Sequence, residues 1–341
     1  MSTEELVLID TRSEPQALPT ERLVPFKKIV NRILDTASPD DFKLQDEWQA
    51  DTGGPVFAGL KFSSEESWLR EFLIRFRANT WMFSGESASV LHNVIDRYKE
   101  GDRKAEENLH AVRNFFRDHF ERMIQFLPEK FIYQPPLVGG EAGFKHQKYI
   151  INFDVVAYQE RVALLFDYGV LQSFERKERS VYLEIGSGYG ALASYFRRTF
   201  PSATIVLVDL PYSLTMAAFY FLLQEPREEF LLVGKDGTLK PSAVNLLLPS
   251  SFINIASQSV DLAVNTLSMA EMPQSTVSFY CKELTRLLSD RGVFFEQNAD
   301  NRHLKFGNFG YVPPIVSQFF NRRCQYQRTN FRGAASLWYT S

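Results

Sequence analysis

Three glycines in alternation, Gly186, Gly188 and Gly190, with Glu184 two residues before them and Asp209 beyond them, are the residues whose types and spacing could do chemistry in this 341-residue chain. Lacking a Cβ, the glycines let the backbone turn tightly and lie close to a ligand. The turn follows an apolar run, Val181 to Ile185, and a helix-like run to Phe200 comes after it. A second apolar run, Ala203 to Val208, ends in Asp209. An acid at the carboxyl end of a second strand can accept hydrogen bonds from both hydroxyls of a ribose. The unit reads as strand, turn, helix and strand around a nucleotide-bearing cofactor.

Two cofactor classes fit that outline. Gly186, Gly188 and Ala191 satisfy the dinucleotide pattern G-x-G-x-x-G/A, and Asp209 lies 23 residues after Gly186. The same residues, with Glu184, satisfy E-x-G-x-G-x-G, the first motif of S-adenosylmethionine-dependent methyltransferases. Glu184 stands where dinucleotide folds keep an apolar residue. Too little chain follows residue 180 for a second mononucleotide half and a substrate domain. The apolar run from Val260 breaks into the polar loop Asn265-Thr-Leu-Ser-Met-Ala-Glu-Met272. These features favour the methyltransferase.

From about Gly139 to Arg302 the chain resembles the sugar O-methyltransferase family, a branch of the class I S-adenosylmethionine-dependent methyltransferases. The matching pieces are Gly139 to Gly143, Asn152 and Asp154 with Tyr158 and Arg161, Leu183 to Gly190, Val208 to Pro211, Asn265 to Met272, and Asn298 with Asn301 and Arg302. The resemblance implies S-adenosylmethionine as cofactor, S-adenosylhomocysteine as product, and a small-molecule or sugar acceptor. It places Glu184 near the methionine moiety, and Ser187, Tyr189, Leu210, Asn265, Thr266, Leu267 and Tyr158 along the cofactor with the glycines and Asp209. Tyr189 could equally be a packing aromatic, and Asp154 a helix cap. Glu271 or His146 is the expected base for the acceptor hydroxyl, and Glu271 has a helix-capping alternative. His303, which follows Asn301 and Arg302, could also be a general base. A divalent metal stays open: Glu271, Glu296 and Asp300 are acids near the expected site but have no diagnostic spacing.

The expected fold class is α/β, a Rossmann-like class I methyltransferase sheet with a terminal antiparallel pair, behind a helical N-terminal extension. Strands are expected at 181–185, 204–208, 244–248, 260–265 and 292–297, and helices at 190–199, 213–223 and 274–289. Arg323 to Arg328 and Ala335 to Thr340 fit the antiparallel pair. Residues 136–150 read as a loop and 154–171 as one helix. Upstream, helices are expected at 26–38, 65–83, 87–98 and 104–126, with residues 40–62 irregular around Gly53-Gly-Pro55. The division falls between 1–135, a lid, a homodimer surface or both, and 136–341, the cofactor domain.

Composition bounds the rest. A net charge of −3 and a sequence pI near 6.0 speak against nucleic acid as the main partner, although Arg322, Arg323, Arg328 and Arg332 cluster near the end. No run is long and apolar enough for a membrane span, and the first residues do not read as a secretory signal. Cys281 and Cys324 offer neither a metal spacing nor a disulfide framework, so a reducing cytoplasm is expected. The rivals are O-methylation of a non-sugar secondary metabolite, a catalytically silent methyltransferase-fold partner protein, and a nicotinamide-dependent oxidoreductase.

Overall fold

β-branched and aliphatic residues fill β5 (Thr204–Val208), every residue of which is buried, and make up β4 (Val181–Ile185) apart from Tyr182 and Glu184. Strands that read as continuous apolar runs, not alternating ones, belong inside a parallel sheet covered on both faces. The computed structural model of the chain describes residues 6–12, 20–43, 87–137, 140–225, 228–300, 311–320, 322–326 and 334–340. The expected helix at 65–83, the turn at Gly53-Gly-Pro55, and Gly139, Asn301, Arg302, His303, Arg328 and Arg332 lie outside the described residues.

The chain divides into two compact units. One comprises Met1–Leu23 and Phe62–Tyr168, the other Val24–Lys61 and Gly169–Ser341. These units meet in sequence at Tyr168/Gly169, where the sequence alone suggests a division at residue 135, and the described residues 24–43 group with the second unit.

In the second unit, β4 and β5 are joined by β6 (Phe230–Leu232), β7 (Val244–Leu247), β8 (Val260–Thr266), β9 (Leu288–Gln297), β10 (Arg322–Tyr326) and β11 (Ala335–Tyr339). Their order is β10-β11-β9-β8-β4-β5-β7-β6. All neighbours are parallel except β11 with β9 and β10 with β11. The chain leaves β4 toward β5 and β7, then returns to β8 on the other side. That reversal makes a crevice between the carboxyl ends of β4 and β8, where open sheets take their ligands. This is the class I methyltransferase sheet with its terminal antiparallel pair, extended by one edge strand, β6, that the sequence reading lacks. β6 is three residues long and partly exposed, too short for a periodic signal.

Three of the connections between the parallel strands carry α-helices. These are α6 (Ala191–Thr199), α7 (Pro211–Gln224) and α8 (Gln274–Leu287), each within three residues of its expected bounds. α7 is buried nearly all round, from Pro211 to Leu223. At the start of β9 the register shifts against β8, and a Cβ on Gly292 would lie 2.9 Å from the Val260 carbonyl oxygen, so this bulge tolerates little but glycine.

The first unit holds α2 (Ser87–Lys99), α3 (Arg103–Ile124) and α4 (Phe153–Asp167) around a three-stranded antiparallel sheet. That sheet is β1 (Leu8–Asp10), β2 (Ala142–His146) and β3 (Tyr149–Ile151). The segment expected as a loop at 136–150 is therefore largely a hairpin. Gly143 sits so close to β3 that a Cβ would lie 2.8 Å from the Ile151 carbonyl oxygen. The single helix expected at 154–171 is two, because Gly169 adopts φ +72° and ends the first before α5 (Val170–Glu175). Asn152, not Asp154, caps α4: its Oδ1 accepts the Val155 amide at 2.9 Å, and its Nδ2 donates to Glu141 at 2.7 Å. Asp10 accepts from Arg12 and Lys99, which hold its carboxyl well below the usual range despite burial.

Candidate functional site

Strand β4 delivers the glycine turn to the carboxyl edge, and three left-handed residues shape it. Gly186, Gly188 and Gly190 have φ of +69°, +55° and +80°. The Gly186 amide donates to the Val208 carbonyl at 2.8 Å, tying the turn to the end of β5. A Cβ on Gly186 would lie 1.9 Å from Ser268 Oγ, and one on Gly190 would lie 3.0 Å from the Phe221 ring. Glycine is thus required at 186 twice over, by dihedral and by space.

Asp209 ends β5 beside this turn. Its Oδ2 accepts the Gly188 amide at 2.7 Å and its Oδ1 accepts the Leu210 amide at 2.7 Å. A carboxylate offers about four acceptor positions; the two backbone bonds take one on each oxygen, and the Ser213 and Ser187 hydroxyls lie against the rest. Part of the residue reaches solvent, yet protein packs densely around the carboxylate. Burial pushes its pKa up to about 6, against the downward pull of the Leu210 and Gly188 amides and the Ser213 and Ser187 hydroxyls. Ser187 Oγ lies close to this carboxylate but is buried with no hydrogen bond of normal geometry. An acid whose side-chain partners are rotatable hydroxyls, on a backbone cleared of side chains, fits the vicinal hydroxyls of a ribose.

Glu184 is buried on β4, and its Oε2 accepts the Tyr182 hydroxyl at 3.0 Å. Tyr182 in turn stacks on Phe196 at 4.3 Å between centroids. Tyr189 is also buried, its ring edge-on to Tyr220 at 5.0 Å.

Across the crevice, Asn265 is fully buried at the end of β8. Its Nδ2 donates to the Ile185 carbonyl at 2.8 Å and to Ser268 Oγ at 2.6 Å, and its Oδ1 accepts the Met269 amide at 3.3 Å. The side-chain amide thus clamps the two strand ends together; of the two groups the sequence offers to the ligand, this amide and the Asn265 backbone carbonyl, the amide is spent on the fold. Thr266 and Leu267 are half-buried beside it. Leu267 holds φ +71°, a costly conformation for a branched side chain, and its amide donates to the Gln297 carbonyl at 2.8 Å. Glu271 closes the short turn Ser268–Glu271 and is half-buried. That turn is anchored to β9 through Asn298, whose Oδ1 accepts the Ala270 amide at 3.1 Å and whose Nδ2 donates to Glu296 at 3.0 Å. Ser268 and Asn298 are supports the motif contains but whose bonds no spacing reveals. Cys281 is buried, and its thiol is pushed up to about 12 by burial and then by Glu296, so it stays protonated at neutral pH.

Two expected site residues lie in the first unit, where they have partners. His146 on β2 faces Glu121 of α3, with Nε2 and Oε1 3.1 Å apart. Tyr158 on α4 packs against Tyr133 at 5.0 Å, and the Arg161 guanidinium lies 4.9 Å from its ring centre. Among the described residues no group of three His, Cys, Asp or Glu is placed to hold a metal ion, and no helix is long and apolar enough to cross a membrane.

No family model and no curated protein sequence matches the chain. Among solved structures it is similar to a protein from Pyrococcus horikoshii OT3, at 15% identity and a TM-score of 0.38, over 53% of this chain and 89% of that one. It is similar to PigF with SAH at 12% identity and a TM-score of 0.36, over 52% of this chain and 61% of that one. It is similar to human N-acetylserotonin methyltransferase in complex with SAM at 14% identity and a TM-score of 0.38, over 55% of this chain and 56% of that one.

Proposed function

We propose that the chain is an S-adenosylmethionine-dependent O-methyltransferase acting on a hydroxyl of a sugar or glycosylated small molecule. The observation that carries the cofactor part is Asp209. It is a largely buried acid at the switch point, given one backbone donor per oxygen beside the glycine turn. The acceptor part rests on the motif resemblance between about Gly139 and Arg302.

S-adenosylmethionine supplies a methyl group made electrophilic by its sulfonium. Asp209 and Ser187 bind the ribose hydroxyls, Leu210 packs beside the nucleoside, and Glu184 offers negative charge to the methionine ammonium. The loop Asn265 to Glu271 forms the opposite wall, held still by the Asn265 and Asn298 clamps. Alignment supplies much of such a reaction, because in-line displacement needs attacking oxygen, methyl and sulfur held together. A sugar hydroxyl has a pKa far above 7, so a base must take its proton. Glu271, in the loop that forms this wall, is the base of this proposal, with His146 the alternative. The helical N-terminal region serves as a lid, a self-association surface or both.

Incubation with S-adenosylmethionine and separate panels of sugars, glycosides and phenols, read as a one-methyl mass gain, tests the reading. Methylation confined to phenols favours the secondary-metabolite alternative. Glu271→Gln with full turnover removes Glu271 from the mechanism.

A further inference from the structure

The short N-terminal stretch that groups with the cofactor unit has no part in the mechanism above, yet it grips the edge that carries Asp209. Asp41 is fully buried. Its Oδ2 accepts the Ser38 amide at 2.9 Å and the Ser38 hydroxyl at 2.7 Å. Its Oδ1 accepts the Ser250 amide at 3.0 Å, and its Oδ2 also accepts the Ser250 hydroxyl at 2.7 Å. A buried charge persists only where donors replace water, and here half of them come from a loop some 200 residues away.

That loop is placed to matter. Ser250 follows closely on Leu247, the last residue of β7, and the Leu247 carbonyl accepts the Asp209 amide at 3.3 Å. Upstream in the same stretch, α1 (Thr20–Thr36) packs Phe26 edge-on against Phe219 of α7 at 5.0 Å. α7 begins at Pro211, directly after Leu210. The N-terminal stretch therefore holds both connections that leave the sheet on the Asp209 side. Tyr280 lies within reach of both acids: burial raises its hydroxyl pKa, and Asp209 and Asp41 raise it further.

A ribose on Asp209 with its methionine end over the β4 turn must send its base the other way, toward the end of β7. There the base meets Leu210 and the turn Leu248 to Ser251. Leu248 to Ala256 contains no charged side chain, so recognition there falls to backbone and hydroxyl groups. Asp41 fixes where those groups point. We propose that Asp41 is a positioning residue for the adenine end of the cofactor, acting through Ser250. The proposal rests on the cofactor reading above.

The test is calorimetric titration with S-adenosylhomocysteine and with methylthioadenosine, which keeps the nucleoside but lacks the amino-acid end. Asp41→Asn keeps the size but turns one acceptor into a donor that faces donors. Both dissociation constants should rise by the same factor, about 10-fold, a loss of roughly one charge-assisted bond. Glu184→Gln should weaken only S-adenosylhomocysteine. Should Asp41→Asn fail to fold, Ser250→Ala takes its place, with a shared rise of about 3-fold. Unchanged affinities in a variant with a lowered unfolding midpoint would make the latch merely structural and overturn the proposal. Loss confined to S-adenosylhomocysteine would overturn it too. If the wild-type chain binds neither compound, the cofactor reading falls and this inference with it.

Discussion

The two ends of the parallel sheet treat their buried polar groups differently. At the amino end, Asp261 at the start of β8 accepts the Val181 amide at 2.9 Å and the Ser289 hydroxyl at 2.9 Å, and pairs with Lys177. Asn245, early in β7, is fully buried and spends its oxygen on the Lys240 amide and its nitrogen on three carbonyls. At the carboxyl end, Asp209 receives one backbone amide per oxygen and Ser187 Oγ receives nothing of good geometry. Backbone conformation does not distinguish the ends. Ser242 and Gln258 hold φ of +54° and +55° in turns at the amino end, much as the glycines and Leu267 do at the other. The kind of donor does distinguish them. An acid that also pairs with a lysine is fixed by its own chain, and one whose further donors are serine hydroxyls, which rotate, can exchange them for a ligand's hydroxyls.

The contrast can be broken by substitution. The largest effect is expected from Gly186→Ala, which meets both a disfavoured dihedral and a contact of 1.9 Å. It should lower stability by about 3 kcal/mol in urea unfolding, together with cofactor binding. Next, Asp209→Ala should weaken S-adenosylhomocysteine about 100-fold with little change in stability, whereas Asp261→Ala should cost about 2 kcal/mol of stability and leave affinity alone. Matching effects from the two acids would erase the distinction between the ends.

A pH titration sharpens it further. The Asp209 carboxyl titrates near 6 in the folded chain against 3.8 for the ordinary group. Between those values the folded state holds the extra proton, so this group's contribution to stability falls as pH rises through the window. Asp209→Asn should remove that slope. Ribose binding needs the ionised acceptor, so affinity should drop as pH falls through 6, to roughly one tenth at pH 5. Smallest, Ser187→Ala should cost about 3-fold in affinity and nothing in stability.

Much of this was legible in the sequence because it is local. The strand, turn and strand from Val181 to Asp209 carry their own period and punctuation, and β4 and β5 fall on their expected bounds. The order of the motifs along the chain also implied their meeting at one sheet edge. What stayed hidden depends on partners distant in sequence. Nothing near Asn265 says that its amide will seek Ile185, 80 residues away. The helix cap at Asn152 was hidden by the rival cap at Asp154 and the break at Gly169 by apolar residues on both sides of it, and the β2–β3 hairpin by strands too short to show alternation. His146 and Tyr158 attracted attention as residue types, but residue type does not reveal that Glu121, Tyr133 and Arg161 are their neighbours.

The central claim is that the carboxyl edge was built for S-adenosylmethionine, and calorimetric titration of the intact chain with S-adenosylhomocysteine tests it most directly, with NAD(H) as control. Micromolar binding is expected, weakened about 100-fold in Asp209→Ala and kept in Asp261→Ala. Binding of NAD(H) instead, or no binding by a chain that unfolds cooperatively, would contradict it.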